Sequence, residues 1–383
     1  MRGLVCLEAR GDMRFVEWLQ RCWERGDAVF PLDPRLPSAG RDRLLREVRP
    51  TSIVDAGGSE HALSDGRGCE EDDALVLVTS GTTGEPKGVV LTHSAVLASA
   101  VATSARLGVD NESDRWLACL PLAHIGGLSV LTRAILTGTP FEVADGFGAE
   151  DVALAARRRG ATLVSLVVTT FHRLGDDATA FRRIVLGGSA PPESLPPNVV
   201  TTYGMTETGS GVVYDGAPLD GVEVRIGEAG EILLRGPMLM RGYRDGSSPF
   251  VDGDWLPTGD AGRVAEDGRL QVEGRLRDLV ISGGENVWPT QVEAVLARHH
   301  GIADVAVTGE PDPEWGERVV ALVVARDDPP RLGDLRELVK QELGPWAAPR
   351  RLVLVDNLPR TASGKLRRLE LGALASRTER SED

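Results

Sequence analysis

Ala74-Leu75-Val76-Leu77-Val78-Thr79, running on into Ser80-Gly81-Thr82-Thr83-Gly84-Glu85-Pro86-Lys87-Gly88, is the stretch whose reading decides the architecture. A short apolar run that stops at small polar residues has the pattern of a buried strand entering a loop. The loop is dense in donors for an anion. Its glycines let backbone N–H groups approach closely, the hydroxyls of Thr79, Ser80, Thr82 and Thr83 add hydrogen bonds, and Lys87 adds positive charge. It is not a Walker A loop: Pro86 precedes Lys87 and Gly88 follows it, so the hydroxyl that would bind magnesium is missing. A helix is expected after the loop. Thr92 can cap it, and Val96, Leu97, Ala100, Val101 and Ser104 recur at helical spacing up to Gly108.

Alternation of the same kind continues through residues 117–120, 128–136, 152–159, 163–168 and 184–186, which predicts parallel strands joined by helical crossovers. The first two-thirds of the chain therefore reads as α/β. After Gly221 the pattern shortens to alternating strands at 222–226 and 231–235, with a hairpin turn expected at Asp267-Gly268. Beyond Gly274 a compact α+β set is expected: strand 279–281, helix 289–299, strands 305–308 and 318–324, helix 332–343 and strand 352–355. Residues 376–383 are polar and expected to fray.

Composition narrows the function. The net charge of -14 has the wrong sign for non-specific binding to a phosphate backbone, so nucleic acid is not expected as a partner. Cys6, Cys22, Cys69 and Cys119 form no CxxC pair, which argues against a disulfide framework or a zinc site and fits a reducing cytoplasm. Charges interrupt the first fifteen residues, and Pro121, His124, Gly126, Gly127 and Arg133 break the apolar stretch 116–136. Neither a secretion signal nor a membrane span is indicated.

Three further segments carry chemistry. Thr202-Tyr203-Gly204-Met205-Thr206-Glu207-Thr208 joins an aromatic face to a glycine turn, hydroxyls and one carboxylate, so Tyr203 can stack on a base and Glu207 can hold magnesium. Thr258-Gly259-Asp260 precedes Gly274-Arg275-Leu276-Arg277-Asp278 and Ser282-Gly283-Gly284-Glu285-Asn286; an Asp beside a glycine turn can accept both ribose hydroxyls, and Arg275 can add a donor. Pro359-Arg360-Thr361-Ala362-Ser363-Gly364-Lys365 places a lysine among small residues, able to neutralise charge on a reacting carboxylate and α-phosphate. Taken singly, the plainer readings outweigh the functional ones: Glu207 as a solvated loop carboxylate, Asp260 and Arg275 as turn or surface residues, and Lys365 as an exposed lysine.

In this order over Leu75 to Arg367, the segments TSGTTGEPKG, YGMTET, TGD, GRLRD with SGGEN, and PRTASGK resemble the adenylate-forming superfamily of acyl-CoA synthetases, adenylation domains and luciferases. The resemblance implies a large N-terminal AMP-binding domain, 1–276, of α/β class with parallel sheets and a small β subdomain. A small mobile α+β C-terminal lid, 277–383, would follow. It assigns Thr79, Ser80, Gly81, Thr82, Thr83 and Lys87 to the ATP phosphates, and Gly187, Gly188, Ser189 and Ala190 to the adenine and acyl group. Tyr203, Gly204 and Met205 go to the adenine, Glu207 to Mg2+, and Asp260 and Arg275 to the ribose. It also implies that Lys365, His124, Thr206 and Glu207 are catalytic, with His124 near the reacting carboxylate and Lys365 serving adenylation, that Gly283 and Gly284 border the pantetheine tunnel, and that Arg277 matches the hinge, where the family commonly has Asp or Lys.

The implied reaction is two-step: ATP and a small carboxylic acid give an acyl-adenylate, and CoA then displaces AMP. Only 78 residues precede Thr79, and this short front end, with Val213 to Gly221, resembles the o-succinylbenzoate–CoA ligases of actinobacteria, which act in menaquinone synthesis. Other aryl or medium-chain acids, or a carrier protein as acceptor, remain open at this point, as does a nucleotide-binding module without catalysis. A homodimer can be imagined to cover the short front end. Arg173, Ser189 and Thr170 are the candidates for a second substrate carboxylate.

Overall fold

The computed structural model describes residues 2–80, 86–192, 194–360 and 366–378. The chain divides into two compact units: Met1–Val224 with Leu234–Leu256 and Gly268–Leu270, and Arg225–Leu233 with Pro257–Asp267 and Gln271–Asp383. The expected change of domain at Leu276–Arg277 falls just inside the second unit.

In the first unit the described residues build two seven-stranded sheets. One runs in the order Gly242–Tyr243, Pro86–Thr92, Asp73–Ser80, Ala28–Leu32, Leu4–Glu8, Ser52–Val54, Glu60–Ala62. The apolar run at Ala74 is thus a strand, with Ala74, Leu75 and Val76 fully buried. Beyond this strand the chain departs from expectation. It returns as a second strand, Pro86–Thr92, antiparallel to the first with Thr79 opposite Lys87, before helix His93–Leu107 begins. Val89, Val90 and Leu91 are buried, and three consecutive apolar residues, two of them β-branched, suit a strand covered on both faces. The helix itself agrees with its sequence signals: Thr92 Oγ1 accepts from the Ala95 amide at 3.1 Å, and Gly108 closes the helix in the left-handed conformation.

The other sheet runs Ala217–Pro218, Ser210–Tyr214, Val199–Met205, Arg183–Gly187, Leu163–Val167, Trp116–Ala118, Phe141–Val143. Its strands from Phe141–Val143 to Val199–Met205 are parallel, as the βα alternation predicts. The interrupted apolar stretch is strand Trp116–Ala118, a turn and helix Ile125–Thr137, which packs on helix His93–Leu107. Among the described residues no helix is long and apolar enough to cross a membrane.

Strands Glu223–Ile226, Glu231–Arg235, Leu256–Val264 and Leu270–Arg275 form a four-stranded sheet. The rest of the second unit is built on a five-stranded sheet whose longest pair is the edge strand Ile302–Asp312 with Gly316–Ala325, which also pairs with Val280–Ser282 and Arg351–Leu354. Side-chain alternation there sorts two cores. Val305, Val307, Val319, Ala321 and Val323 face helices Pro289–Leu296 and Leu332–Glu342, while Ala306, Val320 and Leu322 face Leu371 and Ala375 of helix Leu371–Thr378. That last helix continues through residues 376–378, where the polar sequence suggested fraying.

Candidate active site

Strand Val199–Met205 runs antiparallel to Ser210–Tyr214 with a bulge between Tyr203 and Gly204. Only glycine fits at the bulge, since a Cβ on Gly204 would lie 2.1 Å from the Ser210 carbonyl oxygen. A single 3-10 turn, Thr206–Thr208, then reverses the chain. Thr208 is fully buried and locks the turn: its Oγ1 accepts from the Met205 amide at 2.9 Å and donates to the Ser210 carbonyl at 2.7 Å. The lock presents half-buried Thr206 and Glu207 at the end of the strand, beside half-buried Tyr203.

Glu207 meets a residue that the sequence motifs do not single out. The Tyr243 hydroxyl donates to Glu207 Oε1 at 3.5 Å, and the Met240 amide donates to the Glu207 carbonyl at 2.8 Å. Strand Gly242–Tyr243 pairs with Pro86–Thr92, Tyr243 opposite Val89, which also carries the Tyr243 ring beneath Lys87: the ammonium lies 4.8 Å from the ring centroid. Burial, and then the Glu207 charge, push the Tyr243 hydroxyl up to about 12, so it stays a donor at neutral pH. Tyr243 thus joins Lys87 to Glu207, two residues that the motifs single out. It is the aromatic of Arg241-Gly242-Tyr243, and its only sequence signal is a glycine beside an aromatic.

Gly187 and Gly188 close strand Arg183–Gly187, with Gly188, Ser189 and Ala190 exposed. His124 is the exposed N-cap of helix Ile125–Thr137, with Nε2 4.0 Å from Asp33 Oδ2. Asp33, which lies in no recognised motif, is held below the usual carboxylate range chiefly by the side-chain hydrogen bond from Arg35. The candidates for a second carboxylate fare differently: Thr170 Oγ1 is spent on the Val167 amide and carbonyl, and Arg173 stacks on Phe147 at 5.2 Å.

In the second unit Asp260 and Arg275 come together. Asp260 is buried, its Oδ1 is 2.8 Å from Arg275 Nε, and Arg275 Nη1 donates to the Thr258 carbonyl at 3.1 Å. Gly283 and Gly284, both at positive φ, make the exposed turn between strands Val280–Ser282 and Glu285–Val287. Arg277 lies in the 3-10 turn Leu276–Asp278, 3.6 Å from Asp278, which is 3.4 Å from Arg368; Arg368 in turn pairs with Glu293 at 2.7 Å. Burial raises the Glu293 carboxyl, against the lowering effect of Arg368. Gly81, Thr82, Thr83 and Lys365 lie outside the described residues. The residues flanking them pair, Ser80 with Pro86 and Arg360 with Leu366.

Among the described residues no three His, Cys, Asp or Glu side chains are grouped to hold a metal. The Glu207 carboxylate still suits magnesium, which is commonly bound through one or two carboxylates with substrate phosphates and water completing its shell.

The model of the AMP-binding enzymes matches residues 55–244, and that of the AMP-binding enzyme C-terminal domain matches residues 291–365. The chain belongs to this family of adenylate-forming enzymes. Among its relatives, the 2-succinylbenzoate–CoA ligase of Bacillus licheniformis is 39% identical over 337 residues, covering 79% of this chain and 70% of the relative. The probable 2-succinylbenzoate–CoA ligase of Mycobacterium tuberculosis is 40% identical over 334 residues, 81% of this chain and 86% of that one. The o-succinylbenzoate–CoA synthetase of Bacillus subtilis, solved with the acyl-adenylate intermediate, superposes with a TM-score of 0.85 at 30% identity over 96% of this chain and 88% of that one. An amide bond synthetase from Marinactinospora thermotolerans reaches 0.84 at 26% identity, over 97% and 90%.

Proposed function

We propose that the protein is an AMP-forming carboxylate–CoA ligase that converts o-succinylbenzoate to o-succinylbenzoyl-CoA, in the cytoplasm, as a step of menaquinone synthesis. The observation that supports the chemistry is the cluster of Lys87, Tyr243 and Glu207, in which the lysine proposed for phosphate and the carboxylate proposed for magnesium both meet one aromatic residue. The substrate comes from relatives 37–40% identical over most of the chain.

In the first step a substrate carboxylate oxygen attacks the ATP α-phosphorus, the bond to the β-phosphate oxygen breaks, and pyrophosphate leaves. Lys87 and the backbone of the Thr79–Lys87 loop hold the phosphates, Tyr203 stacks on adenine, and Asp260 with Arg275 holds the ribose. Magnesium, when bound at Glu207, offsets phosphate charge. Lys365 stabilises the negative charge shared by carboxylate and α-phosphate. In the second step the CoA sulfur attacks the acyl carbon and AMP departs, a far better leaving group than oxide. Rotation about Arg277 brings the Gly283-Gly284 turn to the thiol for this step. A homodimer without nucleic-acid or membrane contact completes the reading.

Mass spectrometry of the purified protein with ATP, magnesium, CoA and o-succinylbenzoate, beside a panel of benzoates and medium-chain acids, tests it. Dominant o-succinylbenzoyl-CoA is expected. A different acyl-CoA would move the substrate, and acyl-adenylate without thioester would transfer the acceptor role to a carrier protein or an amine.

A further inference from the structure

The segment Thr258-Gly259-Asp260, assigned to the ribose, lies inside strand Leu256–Val264. Gly259 has a φ of +69°, in the left-handed region, so the backbone leaves the extended conformation one residue before Asp260. An amide at such a break falls out of regular pairing and needs an acceptor from elsewhere. That acceptor is the side chain of Glu231, whose Oε1 takes the Gly259 amide at 2.9 Å across 28 positions of sequence. None of the motifs includes Glu231. Among the described residues the Gly259 amide is the one hydrogen-bond partner of its carboxylate.

The sheet explains how so distant a residue reaches the turn. Glu231 opens strand Glu231–Arg235, the neighbour of Leu256–Val264, and its carbonyl accepts from the Gly227 amide at 2.8 Å, which fixes its own backbone. The next residue grips the same turn: Thr258 Oγ1 donates to the Ile232 carbonyl at 2.8 Å and accepts from the Asp260 amide at 3.1 Å. Arg275 completes the frame, with Nη1 donating to the Thr258 carbonyl at 3.1 Å and Nε 2.8 Å from Asp260 Oδ1. The Thr258 carbonyl, the Gly259 amide and the Asp260 amide thus each have a partner of their own. The bond to Glu231 is charge-assisted, and such bonds are roughly twice as strong as neutral ones.

We infer that Glu231 is a positioning residue for the nucleotide: by fixing the Gly259 amide it aims Asp260 at the ribose, and it thereby sets a preference for ribonucleotides over 2′-deoxynucleotides. This rests on the proposed function, in which Asp260 accepts the ribose hydroxyls. Asp260 is 5% exposed, so its carboxylate has little freedom to correct for a displaced backbone. Turning the peptide plane that precedes it shifts the carboxylate relative to the sugar, and hydrogen bonds to two adjacent hydroxyls tolerate little misalignment. Glu231 acts through Asp260 and not on the nucleotide itself.

The test is calorimetry of AMP against 2′-deoxyAMP, with thermal melting as the check on folding. Wild type is expected to bind AMP about tenfold or more tighter, the scale of one hydrogen bond to a charged group. Glu231→Ala removes the acceptor, and Glu231→Asp keeps the charge but is too short to reach the Gly259 amide; both are expected to bring the two affinities within about threefold. Glu231→Gln keeps an acceptor oxygen at the right length and is expected to retain most of the preference. In pyrophosphate-release assays E231A and E231D should raise KM for ATP and leave kcat nearly unchanged. An unchanged AMP preference in folded E231A overturns the inference, even if its melting temperature falls, and so does a loss in E231Q equal to that in E231A. Should E231A not fold, E231D is read in its place. Wild type that binds both nucleotides alike overturns the inference together with the ribose assignment of Asp260. Binding is measured without acid or CoA, so failure of the proposed substrate shows only in the turnover assay, and the binding comparison still decides for or against Glu231.

Discussion

Tyr243 does two jobs with two different atoms. Its ring lies under the Lys87 ammonium, and its hydroxyl reaches Glu207. Tyr243→Phe keeps the first contact and removes the second, so kcat/KM for ATP is expected to fall roughly 3- to 10-fold, about the worth of one ordinary hydrogen bond, as suits a contact of 3.5 Å, with a higher magnesium requirement; Tyr243→Leu is expected to lose more. Pyrophosphate release measured across magnesium concentrations checks both, and an unaltered magnesium dependence in Y243F would remove Tyr243 from the site. The raised hydroxyl also has a stability consequence. With a folded pKa of about 12 against 10 unfolded, its contribution is fully present below pH 10 and is lost as pH rises through about 12. Glu207 and Tyr203 were legible in the sequence because their motif is local. Tyr243 was not, because it reaches Lys87 and Glu207 only through a two-residue strand paired with a partner about 150 positions earlier in the chain.

At the scale of elements, the strongest local signals agreed with the structure: the buried run at Ala74, the Thr92 cap with its Gly108 stop, and Pro289 opening its helix. The strand Pro86–Thr92 escaped because Val89-Val90-Leu91 is too short to show a period and precedes a helix whose signals dominate. Elsewhere one ion pair ties the parallel sheet to its connections. Asp114 is buried, and Arg182 donates to it at 2.8 and 2.5 Å, with Thr162 at 2.7 Å. Burial raises the Asp114 carboxyl, but these hydrogen bonds outweigh it and hold it below the ordinary carboxylate value. The stabilisation is therefore present above about pH 4 and lost as pH falls through the depressed value. Asp114→Asn is expected to cost about 2 kcal/mol at pH 7, toward the lower end for a buried pair because Arg182 is partly exposed, and to flatten the stability curve below pH 4. Urea unfolding across pH measures this; a variant curve parallel to wild type would show that Asp114 does not carry the acid dependence.

For the whole molecule, the two half-reactions are expected to separate by mutation. Lys365→Ala should abolish pyrophosphate release while largely sparing thioester formation from supplied acyl-adenylate. Arg277→Pro, which stiffens the turn Leu276–Asp278, should do the reverse. Single-turnover assays of each step check the pair, and equal loss of both steps in either variant would refute its assigned role. The sequence by itself determined the class of chemistry, because each family motif is a short run of glycines, hydroxyls and charges that is legible in neighbouring residues. It also determined the α/β character, through periodicities that extend over single elements. Only the tertiary structure decided that Asp73–Ser80 and Pro86–Thr92 pair as antiparallel strands, that Tyr243 bridges Lys87 and Glu207, and that Arg133 is buried without a counter-charge among the described residues. Those depend on strand pairing and helix packing between segments far apart in the chain, and such contacts leave no local pattern for a sequence reading to find.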